Sequence, residues 1–178
     1  MFSVLLGLFL QWTGIGQQPE YDLRSLRWGM TQKEVMITEV SPPFRTTDST
    51  LHYRQRWFYN FPATVRFTFV NDQLAGALYI FTDRHHIRAQ QHWEDYETVY
   101  GILTERYGKP SGDYSSWNYP LYKDRKERYG DAVLLGHLSR SSVWETSRTV
   151  ITLEISGKPT EGIHTVVSYA KKAVPKPE

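Results

Sequence analysis

The residues most suited to recognising a charged partner are basic. Arg54, Arg56 and Arg66, with His52, fall in two stretches where apolar and polar residues alternate. Leu51, Tyr53, Gln55 and Trp57 alternate with His52, Arg54, Arg56 and Phe58; Val65, Phe67 and Phe69 alternate with Thr64, Arg66 and Thr68. A period of two is that of a half-buried strand. A three-residue loop at Tyr59 to Phe61 aligns Trp57 with Ala63 and sets Arg54 opposite Arg66, Arg56 beside Thr64 and His52 beside Thr68. Like charges directly opposite on a sheet are destabilising. They persist where solvent screens them, where acids cover them, or where the face binds an anion. Planar guanidinium groups suit carboxylate or phosphate, so these four are the candidate binding residues. The plainer alternative is a solvated face over which the long stems snorkel.

Other chemistry finds little purchase. The chain has no Cys, which excludes disulfides, thiolate metal sites and Cys nucleophiles. No nucleophile elbow, phosphate loop, dinucleotide fingerprint or zincin helix is present. His85 and His92 are seven residues apart, which on a helix is about 10.5 Å of rise and too far for two ligands of one ion. Glu94, Asp95 and Glu97 lie early in a helical stretch, where acids suit the dipole and solvent. Lys123 to Arg128 mixes four basic with two acidic residues, so its field is interrupted. No catalytic residue, metal or cofactor is expected. The net charge is +2, and no nucleic-acid motif accompanies it, so nucleic acid is not an expected partner.

The elements that position these residues follow from caps, turns and periodicity. Thr31-Gln32-Lys33-Glu34 is a capping box, and Ser41-Pro42-Pro43 ends its helix near Val40. Asn71-Asp72 reads as a two-residue hairpin turn. That turn sets Phe69 against Leu74, Phe67 against Gly76 and Val65 against Leu78. Ala89, Trp93, Tyr96, Tyr100, Leu103 and Tyr107 form one apolar stripe on a long helix over about 85–107, with Asp83 as cap and Gly108 and Pro110 as the stop. Beyond it a strand is expected over 114–119, a hairpin around Thr146-Ser147 and a last strand over 163–169; residues 132–138 read equally as helix or strand. The fold class is therefore α+β, with helices on one face of an antiparallel sheet and two tandem helix-plus-meander units, 23–82 and 83–170. Residues 17–22 read as a linker and 171–178 as a polar tail.

Residues 1–16 carry no charged side chain, hold an apolar core from Phe2 to Leu10, and end in Gly14-Ile15-Gly16. That is the layout of a cleavable secretory signal, although no Lys or Arg precedes the core. The alternative is a buried N-terminal strand. Arg27-Trp28-Gly29-Met30-Thr31 with Val35, and Tyr107-Gly108-Lys109-Pro110, resemble the helix start and helix stop of small bacterial envelope modules of the SmpA/OmlA and β-lactamase-inhibitor-protein type. Over about residues 21–170 the chain also resembles an uncharacterised family of exported bacterial proteins. It departs from the envelope lipoproteins in lacking a lipobox Cys. The resemblance implies a non-catalytic periplasmic or secreted protein that binds another envelope protein or an anionic ligand. Two further readings stay open: a small-ligand or lipid carrier with a pocket between sheet and long helix, and an enzyme acting on cell-wall or sugar substrates. No span is expected after signal removal.

Overall fold

The computed structural model describes residues 21–82 and 88–173; the expected signal segment, Asp83, His85, His86 and the end of the tail lie outside them. Helix α1 (Gln32–Thr38) is followed by strands β1 (Arg45–Thr47), β2 (Thr50–Phe58), β3 (Phe61–Val70) and β4 (Gln73–Phe81). Helix α2 (Ala89–Tyr107) is followed by β5 (Gly112–Trp117), α3 (Tyr129–Leu134), β6 (Leu138–Glu145), β7 (Thr149–Lys158) and β8 (Gly162–Lys171). All eight strands form one antiparallel sheet in the order β1-β2-β3-β4-β8-β7-β6-β5. Each half thus has a helix ahead of four strands, with α3 set between β5 and β6 in the second. The last strand of each half pairs with the other, so the two share one core.

Local chemistry sets the ends of these elements. The Thr31 hydroxyl accepts from the Glu34 amide at 3.3 Å, and the Thr31 amide donates to the Glu34 carboxylate at 2.8 Å. The Thr31 amide, and its hydroxyl donating at 2.8 Å, hold the Glu34 carboxyl below the usual range. Asn71 and Asp72 both have positive φ, the backbone of the tight hairpin turn whose twist matches its strands. Gly108 ends α2 at φ 81°. The α2 cap is Arg88, which makes no side-chain cap bond. The segment 132–138 resolves as the end of α3 and the start of β6. Asp22, expected in a linker, is part of the fold: its carboxylate accepts from the Trp28 amide at 2.8 Å and pairs with Arg148 at 3.0 Å.

One face of the sheet carries the core. Tyr53, Val65, Tyr79, Val167, Leu153 and Ser142 lie in one row across six strands, all buried. From α2, Trp93, Tyr96, Val99 and Leu103 pack down on this inner face, while Tyr100 and Tyr107 are half-buried. The N-terminal segment joins the halves: buried Trp28 donates from Nε1 to the Thr149 hydroxyl at 2.9 Å.

The β3–β4 register departs from expectation. The hairpin starts as predicted, with Phe69 opposite Leu74, but a bulge between Thr68 and Phe69 then puts Phe67 opposite Ala77 and Val65 opposite Tyr79. One extra residue, Ala75, reverses which side chains face the core, because side chains alternate with period two. Tyr79 therefore goes in and Leu78 comes out.

Candidate binding surface

Among the described residues the helices cover only one face of the sheet. On the outer face, Val143, Thr152, Ser168, Leu78, Arg66 and His52 form a row from β6 to β2, and Arg45 on β1 continues it. A neighbouring row runs through Ser141, Glu154, Val166, Ile80 and Thr64. The centre of this face is apolar and hydroxyl-bearing apart from the exposed Glu154 on β7, with every residue there partly or fully exposed. The β1–β3 end is cationic.

The structure removes one of the four residues that the alternation put together, Arg56. His52 and Arg66 face one another directly across β2 and β3 on the outer face. Arg54 is exposed, with its guanidinium 4.1 Å from the Phe44 ring centroid; that ring meets the His52 ring edge-on at 5.9 Å. Arg56 is on the helix-covered face. Its Nε pairs with the Glu39 carboxylate at 3.2 Å, with only 17% and 8% of the two side chains exposed, and its guanidinium sits 4.8 Å from the Tyr53 centroid. The expectation of one patch formed by Arg54, Arg56 and Arg66 is therefore corrected. The cause is a bulge: Tyr53 pairs with Val65 but Arg56 pairs with Ala63, so β2 spends one residue more than β3. Gln55 takes a positive φ there. The connecting loop is two residues, Tyr59 and Asn60, closed by Phe58 opposite Phe61. Arg54 faces Arg66 nowhere; His52 does.

Two members of the cationic end were not singled out in the sequence. Arg45 pairs with His52, and Phe44 supplies the aromatic support for Arg54. Burial first, then Arg45 and Arg66, hold the His52 imidazole below its usual pKa. Among the described residues no ion pair involves Arg45, Arg54 or Arg66. The only signal for Arg45 was its place just past Pro42-Pro43, where a three-residue edge strand begins.

The densest set of titratable groups lies on the inner side, at the β5–β6 end. Arg140 donates to both oxygens of Asp113 at 2.9 and 2.8 Å and to Glu97 at 2.6 Å. Its guanidinium lies 5.8, 5.3 and 4.9 Å from the ring centroids of Trp93, Tyr96 and Tyr100. Ser142 donates to Asp113 at 2.9 Å and meets the Tyr96 hydroxyl at 2.8 Å. The bond from Arg140 holds the Asp113 carboxyl below the usual range. Burial pushes the Tyr96 phenol up to about 12. Burial opposes the Arg140 charge, but Asp113, Tyr96 and Glu97 outweigh it and raise its pKa. Acid and base here satisfy one another, so the arrangement clamps β5 to α2 and leaves no group poised for proton transfer.

A pocket lined by Phe61, Phe81, His92, Asp95, Ile163 and Thr165 encloses about 10 Å³, room for a single water. Trp93 and Tyr96, on the apolar stripe of α2, are packed into the core. Among the described residues no cluster of His, Asp and Glu could hold a metal, and no helix is long and apolar enough to cross a membrane. No family model matches the chain, and no match was found among curated proteins or solved structures.

Proposed function

We propose that this is a non-catalytic, exported bacterial envelope protein that binds an acidic partner protein on the open face of its sheet. The observation that carries this reading is the asymmetry of the sheet: among the described residues helices bury one face and leave the other uncovered, largely apolar and hydroxyl-bearing at its centre and cationic at its β1–β3 end. Uncovered apolar surface rimmed by polar residues marks interaction sites. Charge at one end of such a surface selects the partner and speeds encounter more than it adds affinity. The signal-like start of the chain supports export, and its likeness to SmpA/OmlA-type and β-lactamase-inhibitor-protein-type modules supports a binding role in the envelope.

The test replaces Arg45, His52 and Arg66 together by Gln and compares partner capture from the native envelope across ionic strengths. The expected result is weaker capture at low salt and a flatter salt dependence, with the melting temperature kept. Unchanged capture and unchanged salt dependence would remove the cationic end from the binding surface.

A further inference from the structure

The two edges of the sheet are built differently. Edge strands present unpaired backbone groups and are normally blunted by shortness, by Lys or Pro, or by a cover. The β1 edge follows this rule: it has three residues and carries Arg45. The β5 edge does not. It runs six residues, Gly-Asp-Tyr-Ser-Ser-Trp, with no basic residue and no Pro, and its four central residues are exposed. Tyr114 is 65% exposed, and Tyr119 and Leu121 just beyond the strand are 55% and 54% exposed.

The ladder fixes which β5 groups are free. Thr146 donates to Thr149 across the β6–β7 turn, and bonded pairs alternate along antiparallel strands. Arg140, Ser142 and Trp144 therefore bond toward β7, and Ser139, Ser141 and Val143 toward β5. Their partners are Ser116, Tyr114 and Gly112. The Asn118 amide donating to the His137 carbonyl, at 2.8 Å, continues the same alternation. The backbone groups of Asp113, Ser115 and Trp117 accordingly point away from the sheet.

We propose that β5 pairs with β5 of a second copy of this chain, antiparallel about a two-fold axis through Ser115. In that register Ser115 meets Ser115, and Asp113 meets Trp117 on each side. All three outward positions are matched, so each pair exchanges two backbone hydrogen bonds. No like charges are opposed, because the one charged residue of the strand, Asp113, lies opposite an aromatic and is already held by Arg140. The occupant is a second copy because the edge is complementary to itself in this register. Helices α2 and α3 pack over β6, β7 and β8, so a sheet continued past β5 brings strands together before helices. A strand-to-strand contact of this size falls below about 1,200 Å², so the association is weak and concentration-dependent. It leaves the open face free and does not depend on the binding role proposed for that face.

The experiment uses the absence of cysteine. Hydrogen-bonded antiparallel pairs have Cα atoms about 5.5 Å apart, within disulfide range. In Ser115→Cys, mild oxidation is expected to yield a covalent dimer quickly, whereas Thr46→Cys on the exposed β1 edge stays monomeric. Sedimentation equilibrium of the unaltered chain is expected to show reversible dimers below about 1 mM, the weak limit of specific association. Ser115→Pro removes an outward amide without touching the β5–β6 ladder, as proline is tolerated at such edge positions. It is expected to be monomeric over the same range with its melting temperature unchanged. An unaltered chain that stays monomeric, a Ser115→Pro protein that dimerises equally, or a Thr46→Cys protein that crosslinks as readily as Ser115→Cys each overturns the proposal.

Discussion

Replacing Arg140 with Met keeps most of the stem and removes the guanidinium from between α2 and β5. Three hydrogen bonds to carboxylates and the contact with three aromatic rings go with it. Breaking a fully buried pair by removing one partner costs about 3–5 kcal/mol. Here 15% of the Arg140 side chain is exposed, but 33% of Asp113 and 44% of Glu97 are, so water takes over part of the carboxylate solvation. The expected cost is therefore about 2–3 kcal/mol. For a chain of this size that is a fall in melting temperature of about 4–12 °C. The assay is urea unfolding followed by tryptophan fluorescence, as a double-mutant cycle with Asp113→Asn. The double variant should cost less than the sum of the singles, by about 1–2 kcal/mol. Acid sensitivity gives a second readout. The folded Asp113 carboxyl is depressed by Arg140, so its contribution is present above about pH 4 and is lost as pH falls through the folded value. That loss should shrink in Arg140→Met. A single-variant cost below about 0.5 kcal/mol with additive doubles would refute the clamp.

Trp93 is 8% exposed and stacks on Tyr96 at 5.6 Å, so Trp93→Ala should lose about 3–5 kcal/mol in denaturant titration. A methyl at Gly130 would overlap the Ala89 carbonyl and the Gln90 Cα at the start of α2; Gly130→Ala should cost at least about 1–3 kcal/mol and lower the thermal midpoint. His52 is held below its usual pKa in the folded state, so the unfolded chain binds the extra proton first and stability falls as pH drops below about 6.5. His52→Gln should flatten urea midpoints compared between about pH 7.5 and 5.

Caps, turns and the long stripe were legible because each is set by residues close in sequence. The Thr31–Glu34 box, the Asn71–Asp72 turn and the Trp93–Leu103 stripe all stand where their chemistry placed them. The cationic site was legible only in part. His52 and Arg66 share a face, but the bulge at Gln55 sends Arg56 to the core, where Glu39 meets it. No local signal marks that bulge: Gln55 has no special preference for a positive φ, and its conformation is imposed by seating both Tyr53 and Phe58 in the core. The same logic applies at Ala75, where a bulge exchanges Tyr79 for Leu78. Arg140 was missed because its partners, Glu97 and Asp113, come from a helix and a strand that sequence spacing cannot bring together.

The central claim is that a partner occupies the open face of the sheet. A photo-crosslinking amino acid placed at Leu78, near the middle of that face, tests it most directly, with one at Thr98 on the exposed side of α2 as comparison. Irradiation in intact cells of the native host should yield a discrete crosslinked product from the Leu78 position and none from Thr98. Crosslinking from Thr98 alone, or equally from both positions, would contradict the account.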